Sequence, residues 1–113
     1  MLDTLKVSDG LFIPMKTVVA CENLQDIRQE IDTIDQAIIR LLGQRSEYVQ
    51  AAAKFKTSAQ NVSAEDRVNA MMRQRRIWAE EAGISPDIVE KIYTELVQYF
   101  IQEEMKKWQQ HAA

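Results

Sequence analysis

Residues 27–56 constrain the fold of this chain more than any other stretch. The apolar positions Ile27, Ile31, Ile34, Ile38, Leu41, Tyr48, Ala52 and Phe55 follow steps of 4, 3, 4, 3, 7, 4 and 3, and the one long step skips Arg45. Apolar residues at alternating steps of three and four mark one face of a helix, so the spacing predicts a single long helix with a heptad stripe. In that stripe a guanidinium stands where the next Leu or Ile belongs. Arginine is seldom buried unless paired, so the helix reads as built to hold something anionic against its core face.

This helix is expected to begin at Asn23-Leu24, with Asn23 as its cap and Asp26 three residues on. It runs to about residue 57 with no proline inside, and Gly43 is its weak interior point. Some thirty residues at about 1.5 Å each make a rod of roughly 50 Å. That is too long for a compact monomer of 113 residues. The stripe needs cover from a partner, and the expected assembly is a homodimer in which the long helices pack together.

The rest of the chain reads as two further helices. Residues 58–62 are a polar loop, and Ser63 is a cap with Asp66 at its third position, a capping-box variant. The second helix is expected over 64–82, with Val68, Met71, Met72, Trp78 and Ala79 on its apolar face and Gly83 as its stop. Ser85-Pro86-Asp87 restarts the chain as cap, first helical residue and favourable N-terminal charge. The third helix is expected over 86–110, striped by Val89, Ile92, Tyr93, Leu96, Val97, Phe100, Ile101 and Trp108. The expected class is all-α, with one long and two shorter helices in a single domain over 23–113. No sustained period-two alternation and no hairpin dipeptide between apolar runs is found, so no strand is expected. Residues 1–22 have no helical period, contain Gly10 and Pro14, and read as a flexible leader, with Met15 as an alternative start. Val18-Val19-Ala20-Cys21 loosely resembles a lipoprotein cleavage box, but Pro14 and Lys16 interrupt the apolar run that should precede one.

Composition excludes several function classes. A net charge of −3 argues against binding nucleic acid by bulk electrostatics, so any anion site must come from locally placed cations. Arg73, Arg75 and Arg76 are balanced by nearby Glu80 and Glu81 and read as a solvated face. The lone Cys21 makes no internal disulfide, which fits a reducing cytoplasm. No apolar run reaches the ~18 residues of a membrane span.

Two more cations join Arg45. Lys56 follows it by 11 residues, which on a continuous helix is three turns, about 20° around the axis and roughly 16 Å along it. Arg28 precedes Arg45 by 17 residues, about 100° away around the axis. Arg28 therefore cannot easily serve the same pocket on its own helix, but it can serve the pocket of a second chain. Plainer readings stand beside these: Arg28 paired with Asp32 or Asp35, Lys56 as a helix-dipole partner, and Arg45 in a structural ion pair with Glu103 or Glu104. The third helix offers a matching oddity. Positions 93, 97, 100, 104 and 108 read Tyr, Val, Phe, Glu, Trp, so Glu104 falls inside an apolar stripe. Burial favours its neutral form and a nearby cation opposes that; a neutral carboxyl can donate a hydrogen bond as well as accept one. Nothing suggests a metal or cofactor. His111, the only histidine, is three residues from the end, Cys21 has no histidine near it, and no phosphate-cradling glycine loop occurs.

Taken together, Ile27-Arg28, Ile31-Asp32, Ile34-Asp35, Gln44-Arg45 and Lys54-Phe55-Lys56 resemble the first helix of the all-helical chorismate mutases. The resemblance continues through Asp66-Arg67-Val68, Trp78 to Gly83 and Glu103 to Trp108, covers about 24–110, and in these later segments is nearest to the isochorismate-pyruvate lyases. It implies an intertwined homodimer of the chorismate mutase type II fold. It also implies that Arg45 grips one substrate carboxylate, that Arg28 of the other protomer grips the second, and that Lys56 contacts the ether oxygen and a carboxylate. Asp66 lies where mutases often have a glutamate near the ring hydroxyl, although its capping role is the stronger reading. Glu104 departs from the glutamine that the best-known bacterial members place at the ether oxygen, and must be protonated to donate the same bond.

The expected activity is thus an isochorismate-pyruvate lyase with secondary chorismate mutase activity, needing no cofactor and acting on a small dianionic enolpyruvyl ether. A dedicated chorismate mutase is the nearest alternative. A non-catalytic helical dimer is the alternative from another class.

Overall fold

A computed structural model describes residues 4–8, 11–57 and 64–111, with side chains within 15–57 and 64–110. Its elements are a hairpin, β1 (Thr4–Ser8) and β2 (Leu11–Met15), then helix α1 (Leu24–Ala52), a 3₁₀ turn (Ala53–Phe55), helix α2 (Glu65–Ala82) and helix α3 (Pro86–His111). Two compact units divide the chain at residue 45, inside α1.

The hairpin corrects the expectation that no strand is present. β1 and β2 pair antiparallel, with Thr4 opposite Met15 and Ser8 opposite Leu11. The sequence between them is Asp9-Gly10, the dipeptide favoured in two-residue hairpin turns. Five-residue strands, with Pro14 in one of them, are too short to give a sustained alternation. The paired signals are therefore weak unless the turn dipeptide is read first.

α1 starts where its cap predicts. The Asp26 N–H donates to Asn23 Oδ1 at 2.8 Å, satisfying one of the donors that a helix start leaves without a partner. Its other end differs. The helix stops at Ala52, tightens through the 3₁₀ turn, and releases Lys56 into extended backbone at φ −96°, ψ 126°. Lys56 is therefore off the helix, and the alignment with Arg45 deduced from an 11-residue helical spacing does not apply. No residue of α1 is buried. Ile27, Ile31, Ile38, Leu41 and Tyr48 of the apolar stripe are all exposed, Tyr48 to 78%.

The cap proposed on Ser63 lies outside the described residues. The N-cap position of α2 is held by Ala64 in the left-handed region at φ 44°, ψ 54°, with no side-chain cap. Asp66 is an exposed residue of the first turn. The far end of α2 closes as expected. Gly83 takes φ 76°, its N–H donates to Glu80 O at 3.1 Å, and the Ile84 N–H donates to Ala79 O at 2.9 Å, the paired bonds of a glycine-terminated helix. A Cβ at Gly83 would meet no atom within 4 Å, so Gly83→Ala tests backbone conformation alone. It is expected to destabilise the fold by about 1 kcal/mol, read as a lower urea midpoint at unchanged slope. Ser85 caps α3, accepting from the Ile88 N–H at 3.3 Å.

α2 and α3 pack against each other across this turn. Met71 and Ala79 of α2 and Val97 of α3 form the buried apolar core, and Glu104 is buried with them. Arg76 ties α2 to α3 on the outside, with Asp87 and Glu90 each 3.0 Å from its Nη1. No helix among the described residues is long and apolar enough to cross a membrane.

Candidate functional site

Among the described residues Glu104 is the one buried charged group, 6% exposed. It sits in α3 one turn beyond Phe100 and two beyond Val97, where the stripe carries it inward. Its carboxylate Oε2 accepts from Lys56 Nζ at 2.7 Å, the length of a charge-assisted bond. The ammonium is itself largely covered, at 22% side-chain exposure. A buried carboxylate without a partner is costly, so the two residues stabilise each other's burial. Forming the pair needs α1 to end early. The 3₁₀ turn closes with the Lys56 N–H donating to Ala53 O at 3.2 Å, and the extended residue that follows presents its side chain to α3.

Lys56 is thus an ion partner of Glu104, a role the sequence had offered to Arg45. Glu103, the other candidate, lies 3.5 Å from Lys106 on its own helix. Arg45 is half-buried near the end of α1, whereas Arg28 is exposed in its second turn. Along the helix the 17 residues between them span about 26 Å. Two arginines so separated cannot grip one small dianion from a single chain.

Glu104 also borders a cleft of about 200 Å³ that Lys56 does not line. Ser46 and Gln50 line one side of it, joined by Gln50 Nε2 donating to Ser46 Oγ at 3.0 Å, and Tyr99, Glu103 and Lys107 line the other. Sequence reasoning missed Ser46, Gln50 and Lys107. The only signal was helical spacing, with 46, 50 and 53 on one face and 99, 103 and 107 on another. That spacing is invisible as a site until the two faces are known to meet.

Arg75 and Arg76 of α2 have structural partners. Arg75 stacks on Trp78 at 4.8 Å and Tyr93 at 5.7 Å, a cation–π arrangement. Hydrogen bonds donated to Asp87 and then Glu90 hold Arg76 more firmly protonated than a free guanidinium. Arg76 is thus paired with Asp87 and Glu90 of α3, where the sequence had suggested Glu80 and Glu81, and Arg75 is half-buried rather than on a solvated face. Among the described residues no group of three His, Cys, Asp or Glu could hold a metal ion.

Lys56 and Glu104 thus form a largely covered ammonium–carboxylate pair in a helical chain whose longest helix carries Arg28, Arg40 and Arg45. The sequence pattern of the family described as chorismate mutase type II matches residues 27–105, and the chain belongs to that family. A Pseudomonas aeruginosa protein named isochorismate pyruvate lyase is 43% identical over 96 residues, 85% of this chain and 95% of that protein. A Haemophilus influenzae T-protein is 40% identical over 72 residues, and an Enterobacter agglomerans T-protein 31% over 70 residues; this chain spans 19% of each.

Proposed function

We propose that the protein is an isochorismate-pyruvate lyase, converting isochorismate to salicylate and pyruvate, with a secondary chorismate mutase activity that gives prephenate from chorismate. The observation that carries the reading is the buried Lys56–Glu104 pair in a chain 43% identical to a lyase across nearly all of that lyase's length. The match to the chorismate mutase type II family over residues 27–105 favours mutase activity as the second reading.

The residues suit the chemistry. In the elimination the ring–ether C–O bond breaks, a ring hydrogen moves to the methylene of the departing enolpyruvyl group to make the methyl of pyruvate, and the ring becomes aromatic. All bonding changes occur within the substrate, so the protein supplies no nucleophile. It must hold a compact reactive conformer and stabilise charge growing on the ether oxygen. Arg45 holds one carboxylate, and Arg28 of the partner subunit holds the second. Guanidinium groups suit this because they meet a carboxylate through two parallel bonds. Lys56 uses one of its three N–H groups on Glu104 Oε2, which aims the other two toward the ether oxygen and a carboxylate. Glu104 Oε1 can carry a proton and donate to the same ether oxygen. Asp66 has the weakest claim, as a polar group near the ring hydroxyl.

The assembly is a homodimer, because the uncovered stripe of α1 needs a second chain and Arg28 is useful only in that chain's site. Residues 23–113 are the catalytic domain, preceded by a leader, and a lone cysteine suits work in the cytoplasm.

Purified protein given isochorismate is expected to produce salicylate fluorescence, and chorismate to be consumed more slowly. Chorismate loss with no salicylate from isochorismate establishes the mutase alone, and no turnover of either leaves a binding dimer. Glu104→Gln keeps an acceptor for Lys56 and a permanent donor for the ether oxygen, so it should keep turnover, whereas Glu104→Ala should lose it. Equal loss of turnover in the two variants counts against Glu104 as the donor.

A further inference from the structure

The chain ahead of α1 is stitched to the helix's first two turns. Directly after β2, the Lys16 N–H donates to Glu30 Oε2 at 2.9 Å, and Lys16 Nζ lies 3.5 Å from Asp26 Oδ2. The Glu22 N–H donates to the same Asp26 oxygen at 3.0 Å. That backbone bond first, and Lys16 after it, hold the Asp26 carboxyl below the usual aspartate range. Met15, Val18 and Cys21 share an apolar cleft with Ile27, Ile31 and Ile34, so the polar stitches flank an apolar contact.

Asp26 and Glu30 are one helical turn apart on one face of α1. Arg28 lies between them in sequence, two residues from each, and so projects about 200° away on the opposite face. It is exposed, only the fifth residue of the helix, and makes no ion pair with another described residue. The ends of helices fray unless tied down, and a guanidinium that must meet a carboxylate through two parallel bonds tolerates little displacement. The geometry points to Lys16, with its acceptors Asp26 and Glu30, as a positioning clasp that holds the first turns of α1 rigid so that Arg28 is presented, from the far face, to the substrate carboxylate in the partner's site. This inference rests on the assignment of Arg28 made above. The clasp touches no substrate. It acts by raising the fraction of chains whose Arg28 is competent to bind, and apparent affinity scales with that fraction.

The test compares steady-state kinetics of the full-length dimer carrying Lys16→Ala with Glu30→Ala, Lys16→Arg, Arg28→Ala, and the first pair combined with Arg28→Ala. The clasp variant is expected to raise KM about fivefold with kcat unchanged, the split that marks lost binding rather than lost chemistry. Lys16→Arg should keep KM at the wild-type value. In the Arg28→Ala background the clasp substitutions should change KM no further, because the residue they position is gone. A merely structural leader would instead lower the thermal midpoint and add its effect in both backgrounds, and that outcome overturns the proposal. So does an unchanged KM in the clasp variant when Arg28→Ala raises it. If Arg28→Ala itself leaves KM unchanged, the assignment of Arg28 to the site fails and the clasp's role fails with it.

Discussion

Lys56→Ala is expected to lower kcat by about a thousandfold, the scale on which removal of one preorganised donor at a developing oxyanion acts. Lys56 carries the positive charge closest to the breaking C–O bond in the proposed reaction, and Glu104 at 2.7 Å fixes where that charge points. The substitution also leaves a carboxylate that is 6% exposed without its donor, at a cost of about 1–3 kcal/mol in stability. Loss of charge and loss of fold are separated by the double variant Lys56→Met with Glu104→Gln. This removes the orphaned charge and should recover most of the urea midpoint while turnover stays lost. Full activity in either variant removes Lys56 from the mechanism.

Complementation tests the shared site with a comparably large signal. Arg28→Ala and Lys56→Ala chains are each expected to be nearly inactive. Unfolded together and refolded, they should recover about a quarter of wild-type specific activity, because half of the dimers are mixed and one of each mixed dimer's two sites is intact. A chain that uses its own Arg28 has no intact site in any combination, so mixtures shown by mass to contain mixed dimers yet lacking activity would sink the shared arrangement. The 26 Å or so along α1 between Arg28 and Arg45 is the physical ground for expecting recovery.

Much of this molecule was legible along the chain because its signals are local. Asn23 and Ser85 bond to backbone N–H groups three residues on, and Gly83 adopts the left-handed turn that only a residue without a Cβ enters freely. Each of these is settled within one helical turn, so composition at fixed offsets suffices. The hairpin is equally local, but its strands of five residues each are too short to show a sustained alternation. At the start of α2, Ala64 holds the cap position in a left-handed conformation that no propensity argument selects.

By itself the sequence determined that a long helix would expose an apolar stripe broken by Arg45, that Glu104 would turn inward with Val97 and Phe100, and that Arg28 and Arg45 could not share a ligand within one chain. Periodicity fixes faces, and faces fix what is buried. Only the tertiary structure decided that Lys56 would be the cation to meet Glu104, 48 residues away. Continuing the helix would have carried Lys56 around with Arg45. The 3₁₀ turn at Ala53–Phe55 instead frees it into extended backbone. The pair joins residues 48 apart in sequence, and no local pattern in residues 50–56 records a carboxylate on another element.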